Sequence, residues 1–322
     1  MQIGIDFGGT KIEAAALDNS GAVLARIRKA NPGNYADALR TVQDLVGEIE
    51  REAGCRGSIG IGTPGSISPS TSLMRNSNSL YLNGRNFRAD LVSALGRDVR
   101  MANDANCFAL SEAVDGAGAG GATVFGIILG TGCGGGLVVN GQLINGAHGI
   151  AGEWGHNPLP WASLSETPGP ACYCGQRGCL EQWISGTGLQ RDFFEQTRGK
   201  RTAEQIISLA RSGAIDAEIA LENLVDRLGR ALAQICNIID PDVIVVGGGL
   251  SNVPELYEGL SDTINSRTFS DIWDGSILPA KWGDSSGVRG AARLWPASDT
   301  ASSGLTRQDA ATAGASDQLE VR

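Results

Sequence analysis

The chain alternates short apolar runs with segments in which apolar residues recur every three or four positions. The apolar run at 3–7 ends in Gly8-Gly9-Thr10, and a second run at 11–17 follows this turn directly. Between 38 and 49, apolar residues recur at helical spacing with charges between them, which predicts an amphipathic helix. Two further runs have the composition of strands: 59–62 and 99–102. Strands that alternate with helices in this way indicate an α/β sheet.

The second half of the chain repeats the pattern of the first. An apolar run at 123–129 enters Gly130-Thr131-Gly132, and the next run, at 135–139, ends in the hairpin dipeptide Asn140-Gly141. We interpret this likeness as an internal duplication of one hairpin. It predicts two lobes that face each other across a cleft.

The same pattern sets the predicted domain boundaries. We predict an N-terminal lobe over 1–118 and a C-terminal lobe over 119–286, with a last helix near 287–296 that joins the first lobe. The segment 298–322 is rich in Ser, Thr, Ala and Asp and has no apolar periodicity. Such a composition predicts a disordered tail.

Composition and charge exclude several classes of protein. The chain has 322 residues, more than one hydrophobic core usually serves, which agrees with two lobes. A net charge of −9 argues against a protein that binds nucleic-acid phosphates. No apolar stretch approaches the roughly 20 residues that cross a bilayer, and the N-terminus lacks the pattern of a signal peptide. We therefore expect a cytoplasmic protein with no membrane or nucleic-acid partner.

Three glycine-rich turns carry groups that suit phosphate. In Asp6-Phe7-Gly8-Gly9-Thr10-Lys11, glycines let backbone N–H groups approach phosphate oxygens, while Thr and Lys add donors and Asp6 can hold Mg²⁺. Similar turns lie at 130–136 and 247–249. Any one of them could be an ordinary tight turn. Three such turns at strand ends of two similar lobes predict a nucleotide clamped between the lobes.

An acidic residue, Asp104, follows the apolar run at 99–102. Such a carboxylate could accept a proton from a substrate hydroxyl during phosphoryl transfer. It could equally cap a helix that begins at Ala105. Spacing alone leaves both interpretations open.

Four residues have the chemistry of a closed zinc site: His156, Cys172, Cys174 and Cys179. One imidazole and three thiolates complete a tetrahedral Zn²⁺ shell with no open position, so the metal would be structural and would pin the proline-rich loop at 158–171. A disulfide is the alternative, but a Cys-x-Cys bridge is strained and would leave one cysteine unpaired.

Two carboxylates flank this cluster, Glu153 before it and Glu181 after it. A metal at the cluster would hold both beside the cleft, where they could accept hydrogen bonds from sugar hydroxyls. The alternative is a pair of surface carboxylates on a loop.

These ordered motifs resemble the ROK family of repressors, open reading frames and sugar kinases, and the resemblance runs from about residue 1 to 296. The motifs are the Asp6–Lys11 turn, Thr63-Pro64-Gly65, Asn103-Asp104-Ala105-Asn106, the turns at 130–136 and 247–249, Glu153-x-Gly155-His156, and Cys172-x-Cys174-Gly-x-x-Gly-Cys179 with Glu181. Four further segments resemble the bacterial fructokinase/mannokinase branch: 63–69, 78–84, 154–161 and 283–290.

The resemblance implies a two-lobed, actin-like (ribonuclease H-like) α/β fold that closes over ATP and a sugar, with Mg²⁺, a structural Zn²⁺ and a homodimer. It implies that Asp104 is the general base that deprotonates the sugar's 6-hydroxyl. The implied sugar-binding positions are Gly65, Asn78, Asn103, Asp104, Glu153, His156 and Glu181. The nucleotide-binding positions are Gly4, Ile5, Asp6, Phe7, Gly8, Gly9, Thr10, Lys11, Thr131, Gly132, Cys133, Gly134, Gly135, Gly136 and Gly248.

On this resemblance we expect an ATP-dependent kinase of fructose, with mannose as a second substrate. An N-acetylglucosamine kinase or glucokinase of the same family is the alternative. A sugar sensor or repressor is the hypothesis from another class. Repressors of the family carry a helix-turn-helix domain ahead of the first strand, whereas the first strand here begins at Ile3, which favours the enzyme.

Overall fold

The computed structural model describes residues 1–296, which contain two five-stranded sheets. The strands of the first half are β1 (Gln2–Phe7), β2 (Lys11–Leu17), β3 (Val23–Ala30), β4 (Ser58–Thr63), β5 (Ser66–Ile67), β6 (Met74–Arg75) and β7 (Val99–Asn103), and its helices are α1 (Tyr35–Ala53), α2 (Phe87–Leu95) and α3 (Asp104–Asp115). The strands of the second half are β8 (Thr123–Leu129), β9 (Cys133–Val139), β10 (Gln142–Ile144), β11 (Val243–Gly247) and β12 (Ser276–Pro279). Its helices are α4 (Glu181–Ile184), α5 (Gly186–Thr197), α6 (Ala203–Arg211), α7 (Ile215–Ile239), α8 (Leu260–Asn265) and α9 (Ser286–Arg293).

The two sheets have the same topology. The first has the order β3-β2-β1-β4-β7 and the second the order β10-β9-β8-β11-β12. In each, the first three strands are antiparallel and the last two run parallel to the central one. This agrees with the duplication predicted from the repeated hairpin. Strands β5 and β6 form a separate small ribbon beside the first sheet.

Helices α9 and α3 pack against each other between the sheets, and glycines allow their close approach. A Cβ on Gly4 of β1 would lie 1.8 Å from a backbone oxygen of α9, and one on Gly290 of α9 would lie 1.7 Å from a backbone oxygen of α3. A Cβ on Gly126 of β8 would lie 2.7 Å from the α3 backbone. Because no side chain separates these backbones, the order sheet, α9, α3, sheet forms one tightly packed stack.

Glu112 joins the two connections that link the halves of the chain. Its side chain is fully buried near the end of α3. One carboxylate oxygen accepts the backbone N–H of Ala117 at 2.9 Å and of Lys281 at 3.0 Å. The other accepts the N–H of Trp282 at 3.1 Å and the hydroxyl of Ser286 at 2.8 Å. The segment after α3 and the segment before α9 are thus held by one carboxylate.

The predicted tail, 298–322, lies outside the described residues. Within 1–296, no helix combines the length and the apolar character that a membrane crossing requires.

Candidate active site

Asp104 lies where β7 meets α3, and the helix cap beside it is a different residue. The Asn103 side chain accepts the backbone N–H of Asn106 at 2.7 Å, which makes Asn103 the N-cap. Asp104 is therefore not needed as the cap, and its side chain is exposed. Its carboxylate accepts the N–H of Ala105 at 2.8 Å. Although the side chain reaches solvent, desolvation by the surrounding protein raises the pKa of Asp104 above its ordinary value.

Asp6 is the penultimate residue of β1, near enough to Asp104 for their charges to interact, and it is only partly exposed. Desolvation and the negative charges of Asp104 and Glu13 raise the pKa of Asp6 to about 6. Two neighbouring carboxylates at strand ends are the oxygen ligands that Mg²⁺ prefers, and a bound cation would relieve their repulsion. The donor set therefore fits the magnesium ion that the sequence predicts.

The first glycine-rich turn offers exposed backbone beside Asp6. The N–H of Gly8 donates to the Lys11 carbonyl at 3.0 Å and closes the turn, while Gly9 and Thr10 are exposed. Three other predicted nucleotide-binding positions, Gly4, Ile5 and Phe7, are buried inside the first sheet. Ile5 and Phe7 pack their side chains in the core and Gly4 allows the approach of α9, while a nucleotide contact at these positions remains a prediction.

The second and third glycine-rich turns meet at the end of β8. The N–H of Gly130 donates to the Gly132 carbonyl at 3.0 Å, which leaves Thr131 exposed. Gly248 has a φ of +83°, and a Cβ there would lie 2.4 Å from the Leu129 carbonyl oxygen. These tight approaches bring both turns to one strand end.

The later residues of the second turn face protein. A Cβ on Gly135 would lie 2.8 Å from the Trp154 ring, and one on Gly136 would lie 2.8 Å from the Ala109 side chain. Gly134 is partly exposed and Cys133 is buried. Cys133 contributes its backbone N–H, which donates to the Glu181 carboxylate at 3.1 Å.

Gly65 and Asn78 lie in the first half, beside the β5–β6 ribbon. Gly65 has a φ of +77°, and a Cβ there would lie 2.4 Å from the Arg75 carbonyl oxygen, so this turn presses against the segment that leads to Asn78. Asn78 itself is exposed. The Arg75 side chain donates to the His148 carbonyl at 2.6 Å and links this region to the second half.

The predicted metal ligands lie together in the structure. The ligand atoms of His156, Cys172, Cys174 and Cys179 all fall within 4.8 Å of one another. The His156 Nδ1 is 3.7 Å from the Cys172 Sγ, and the sulfurs of Cys174 and Cys179 are 3.6 Å apart. A tetrahedral site with bonds of about 2.0–2.3 Å has edges of about 3.3–3.8 Å, so these separations suit Zn²⁺ and are too long for a disulfide.

A tight backbone turn presents the three cysteines. The N–H of Cys172 donates to the Gln176 carbonyl at 2.9 Å, and the strand-like pair Ala171 and Arg177 extends this turn. The N–H of Leu180 donates to the Asn157 carbonyl at 2.8 Å, which ties the end of the cysteine segment to the residue after His156.

A buried ion cluster holds the middle of the same loop. The Glu166 carboxylate pairs with Arg227 at 2.9 Å and with Arg230 at 2.8 Å, and both arginines lie on α7. Desolvation opposes ionisation here, but hydrogen bonds from Arg230 and Arg227 lower the pKa of Glu166 to about 2. The loop between His156 and Cys172 is therefore anchored to α7 as well as to the metal-ligand cluster. The sequence analysis missed Glu166, since a lone carboxylate in a proline-rich loop has no distinguishing pattern.

Carboxylates from both halves converge beside the metal-ligand cluster. Glu153 is exposed, and its pKa is raised by desolvation and by the negative charges of Asp104 and Glu181, while His156 lowers it. Glu181 begins α4 and is fixed by the Cys133 N–H. The structure thus brings Asp104, Glu153, His156 and Glu181 into one region, and their roles remain predictions. It also adds Tyr173, whose hydroxyl lies 3.1 Å from the His156 Nε2 and which the sequence analysis missed.

Comparison with known proteins decides the family, because the ROK family matches residues 2–298. The chain belongs to the ROK family. It is 40% identical over 299 residues to an N-acetyl-D-glucosamine kinase of Shigella boydii, which covers 91% of this chain and 99% of that protein. An N-acetyl-D-glucosamine kinase of Pectobacterium atrosepticum is 41% identical over 300 residues, with coverage of 91% and 98%.

Solved ROK structures share the fold. The ROK hexokinase of Thermus thermophilus has a TM-score of 0.82 at 32% identity and covers 90% of this chain and 96% of its own. A ROK family glucokinase of Streptomyces griseus, solved with glucose and AMPPNP, has a TM-score of 0.69 at 28% identity, with coverage of 91% and 98%. Together these likenesses establish a ROK sugar kinase fold built on two α/β sheets.

Proposed function

We propose that this ROK protein transfers the γ-phosphoryl group of ATP to the 6-hydroxyl of a hexose, with Asp104 as general base. The observation that carries the proposal is the position of Asp104. It is exposed at the first turn of α3 and does not cap that helix. Its negative charge raises the pKa of Asp6 and of Glu153, and the charge of Glu181 also raises the pKa of Glu153.

The proposed reaction divides the work between the two halves. Asp104 accepts the proton of the sugar hydroxyl, and its raised pKa strengthens it as a base toward that proton. The exposed N–H groups of the Gly9 and Thr131 turns face the phosphates of ATP. Asp6 would hold Mg²⁺, and the chemistry that this ion would supply is neutralisation of charge on the transferred group.

His156, Cys172, Cys174 and Cys179 hold the zinc ion in this proposal. The ion supplies no chemistry to the transfer, because four protein ligands leave no open position. The residues around it do the positioning: His156 and Glu181 are held against the sugar side of the site, and Glu166 ties the loop to α7.

N-acetylglucosamine is the substrate that the relatives favour, since two proteins of 40% and 41% identity are N-acetyl-D-glucosamine kinases. Fructose and mannose form the second candidate. They are supported by the segments at 63–69, 78–84, 154–161 and 283–290, which resemble the fructokinase/mannokinase branch.

The test is ADP release from Mg-ATP with N-acetylglucosamine, glucose, fructose, mannose and N-acetylmannosamine, each measured over a range of concentrations. We expect the highest kcat/KM with N-acetylglucosamine. A clear preference for fructose or mannose would reverse the substrate assignment and leave the kinase proposal standing. Release of no ADP with any hexose, from protein that contains zinc and binds ATP, would contradict the kinase proposal.

The zinc assignment has its own test. Metal content by mass spectrometry should be one zinc per chain, and Cys174→Ser should lose it, whereas Cys236→Ser, a change at a buried cysteine outside the cluster, should retain it. Full metal content in Cys174→Ser would contradict the site.

A further inference from the structure

Tyr173 lies in the candidate sugar site with a hydroxyl that the assigned roles leave unexplained. Tyr173 is 79% exposed, so its ring and hydroxyl are accessible to a ligand. Its ring meets the His156 ring edge to face, with centroids 5.2 Å apart and an interplanar angle of 87°. The tyrosine oxygen lies 3.1 Å from the His156 Nε2.

The position of Tyr173 in the chain makes this placement rigid. It stands between Cys172 and Cys174, so the residues on both sides of it belong to the metal-ligand cluster. The N–H of Cys172 and the carbonyl of Gln176 close the turn that carries it. Because the backbone of Tyr173 is fixed on both sides, only its side-chain rotamer has to be ordered when it contacts a ligand.

The ring nitrogens of His156 have separate tasks in this geometry. Nδ1 faces the Cys172 sulfur at 3.7 Å, and Nε2 faces Tyr173. A metal-ligating Nδ1 carries no proton, so Nε2 carries one and donates to the tyrosine oxygen. The tyrosine O–H then remains available as a donor.

The tyrosine hydroxyl lies beside His156, one of the sugar-binding positions that the resemblance implies. A tyrosine phenol, with an ordinary pKa of about 10, keeps its proton near neutral pH and can donate it to a hydrogen bond. Glu153 and Glu181 are the carboxylates assigned to sugar hydroxyls. A hexose that reaches His156 as well would have the tyrosine hydroxyl within its surroundings.

We propose that the Tyr173 hydroxyl, held by His156, donates a hydrogen bond to a hexose hydroxyl and helps determine which hexose binds. Two hydrogen bonds then lead to the sugar. His156 Nε2–H donates to the Tyr173 oxygen, and the Tyr173 O–H donates to a sugar oxygen. This proposal rests on the proposed function for the location of the sugar. It adds Tyr173 to the sugar-binding positions that the resemblance implies.

The test compares Tyr173→Phe with the wild-type holoenzyme. Phenylalanine keeps the ring and removes only the hydroxyl. Loss of one hydrogen bond should raise KM, and the Kd for the hexose measured by calorimetry without ATP, about 3- to 10-fold. We expect kcat within about twofold of wild type, an unchanged zinc content, and an effect that differs between N-acetylglucosamine, glucose and fructose.

The matched control is Tyr35→Phe, which removes a hydroxyl that bonds to Asp90 on the outer helices of the first half. It should leave the KM and the Kd for the hexose unchanged. An unchanged or lower hexose Kd in Tyr173→Phe would overturn the proposal, since a lower value means that the tyrosine competes with the sugar for His156. If the wild type transfers no phosphoryl group to any hexose, the proposed function is contradicted. The calorimetric comparison of hexose Kd values tests Tyr173 separately. A wild type that binds no hexose would overturn both.

Discussion

Asp104 and Glu112 lie about two turns apart on helix α3, yet their carboxyl groups have opposite surroundings. Asp104 is exposed at the first turn, and its carboxylate accepts hydrogen bonds from the backbone of its own helix end, among them the N–H of Ala105 at 2.8 Å. Glu112 is fully buried near the last turn and accepts three backbone N–H groups and one hydroxyl.

The difference separates a group that is available for chemistry from one that is committed to structure. A carboxylate whose lone pairs are filled by fixed donors cannot accept a substrate proton without losing them. Glu112 therefore holds the connections at 116–122 and 280–285 together, and Asp104 keeps lone pairs free for a substrate. Because both lie on one rigid helix, the fastening at Glu112 also fixes the orientation of Asp104.

The largest effect should come from Asp104→Asn. The amide has the same shape but cannot act as a base, so kcat should fall by about 10²- to 10⁴-fold while ATP and hexose still bind. Steady-state kinetics and calorimetry measure the two parts. Asp44→Asn, on the exposed face of α1, is the control and should have wild-type kcat. Near-normal turnover in Asp104→Asn would remove the distinction between the two ends of α3.

Glu112→Gln should affect the free energy of unfolding more than kcat, the reverse of Asp104→Asn. The amide leaves one oxygen and turns an NH₂ group toward N–H donors, so at least one of the four donors loses its acceptor in the buried site. The free energy of unfolding should fall by about 2–5 kcal/mol, measured by urea denaturation, with a smaller loss of kcat than in Asp104→Asn. Glu52→Gln at an exposed position of α1 is the control. If Glu112→Gln were as stable as wild type, the four hydrogen bonds would not fasten the connections.

The sequence predicts Asp104 well and Glu112 poorly, for a physical reason. Asp104 follows a strand directly and belongs to a local motif, so its neighbours in sequence indicate its place. The donors to Glu112 at Lys281 and Trp282 are about 170 residues away in the chain, a distance that no local pattern spans. Glu166 and its partner Arg230 are hidden for the same reason.

The fold likewise divides into features that local sequence patterns predict and features that depend on contacts between distant residues. Repeated hairpins and glycine-rich turns predict the two sheets, because strand alternation and turn chemistry are local. The sequence analysis did not resolve α2, α5 and α6, whose faces become interpretable only once the sheets they cover are known. It also did not show that α9 and α3 pack between the sheets through glycine contacts, which are tertiary.

A substitution of Asp6 tests whether a carboxylate that is left free for a ligand lowers the free energy of unfolding. Its folded pKa is about 6 and its ordinary value is 3.8, so between these values the folded protein binds more protons than the unfolded chain. Stability should then fall as pH rises from about 4 to about 6. Asp6→Asn should abolish this slope and raise the free energy of unfolding at pH 7 by about 1–3 kcal/mol in protein without nucleotide or metal.

Denaturation at several pH values measures this effect, and the affinity for Mg-ATP should fall in the same variant. Asp18→Asn is the control, because hydrogen bonds led by the Ser20 hydroxyl lower the pKa of Asp18 and its removal should not stabilise the protein at pH 7. An Asp6→Asn protein that is less stable than wild type at pH 7 would show that Asp6 is satisfied within the fold, like Glu112.

The smallest effect should come from Gly116→Ala, which disturbs Glu112 without touching its charge. A Cβ at this position would lie 2.2 Å from a Glu112 carboxylate oxygen and 2.5 Å from the Glu112 Cα, so the carboxylate must shift from its donors. Gly116 has a φ of −97° and a ψ of −147°, outside the left-handed region, so we expect the overlap with Glu112 to be the main cost. We expect about 1–2 kcal/mol less stability by urea denaturation.

Gly47→Ala on α1 is the matched control, because a Cβ there meets nothing within 4 Å and alanine favours a helix. It should stabilise the protein slightly. If Gly116→Ala acts through Glu112, its effect and that of Glu112→Gln should fall short of additivity in the double variant, because the second change disturbs hydrogen bonds that the first has already lost. Full additivity would mean that Gly116 matters for another contact, and that the end of α3 is held by more than one carboxylate.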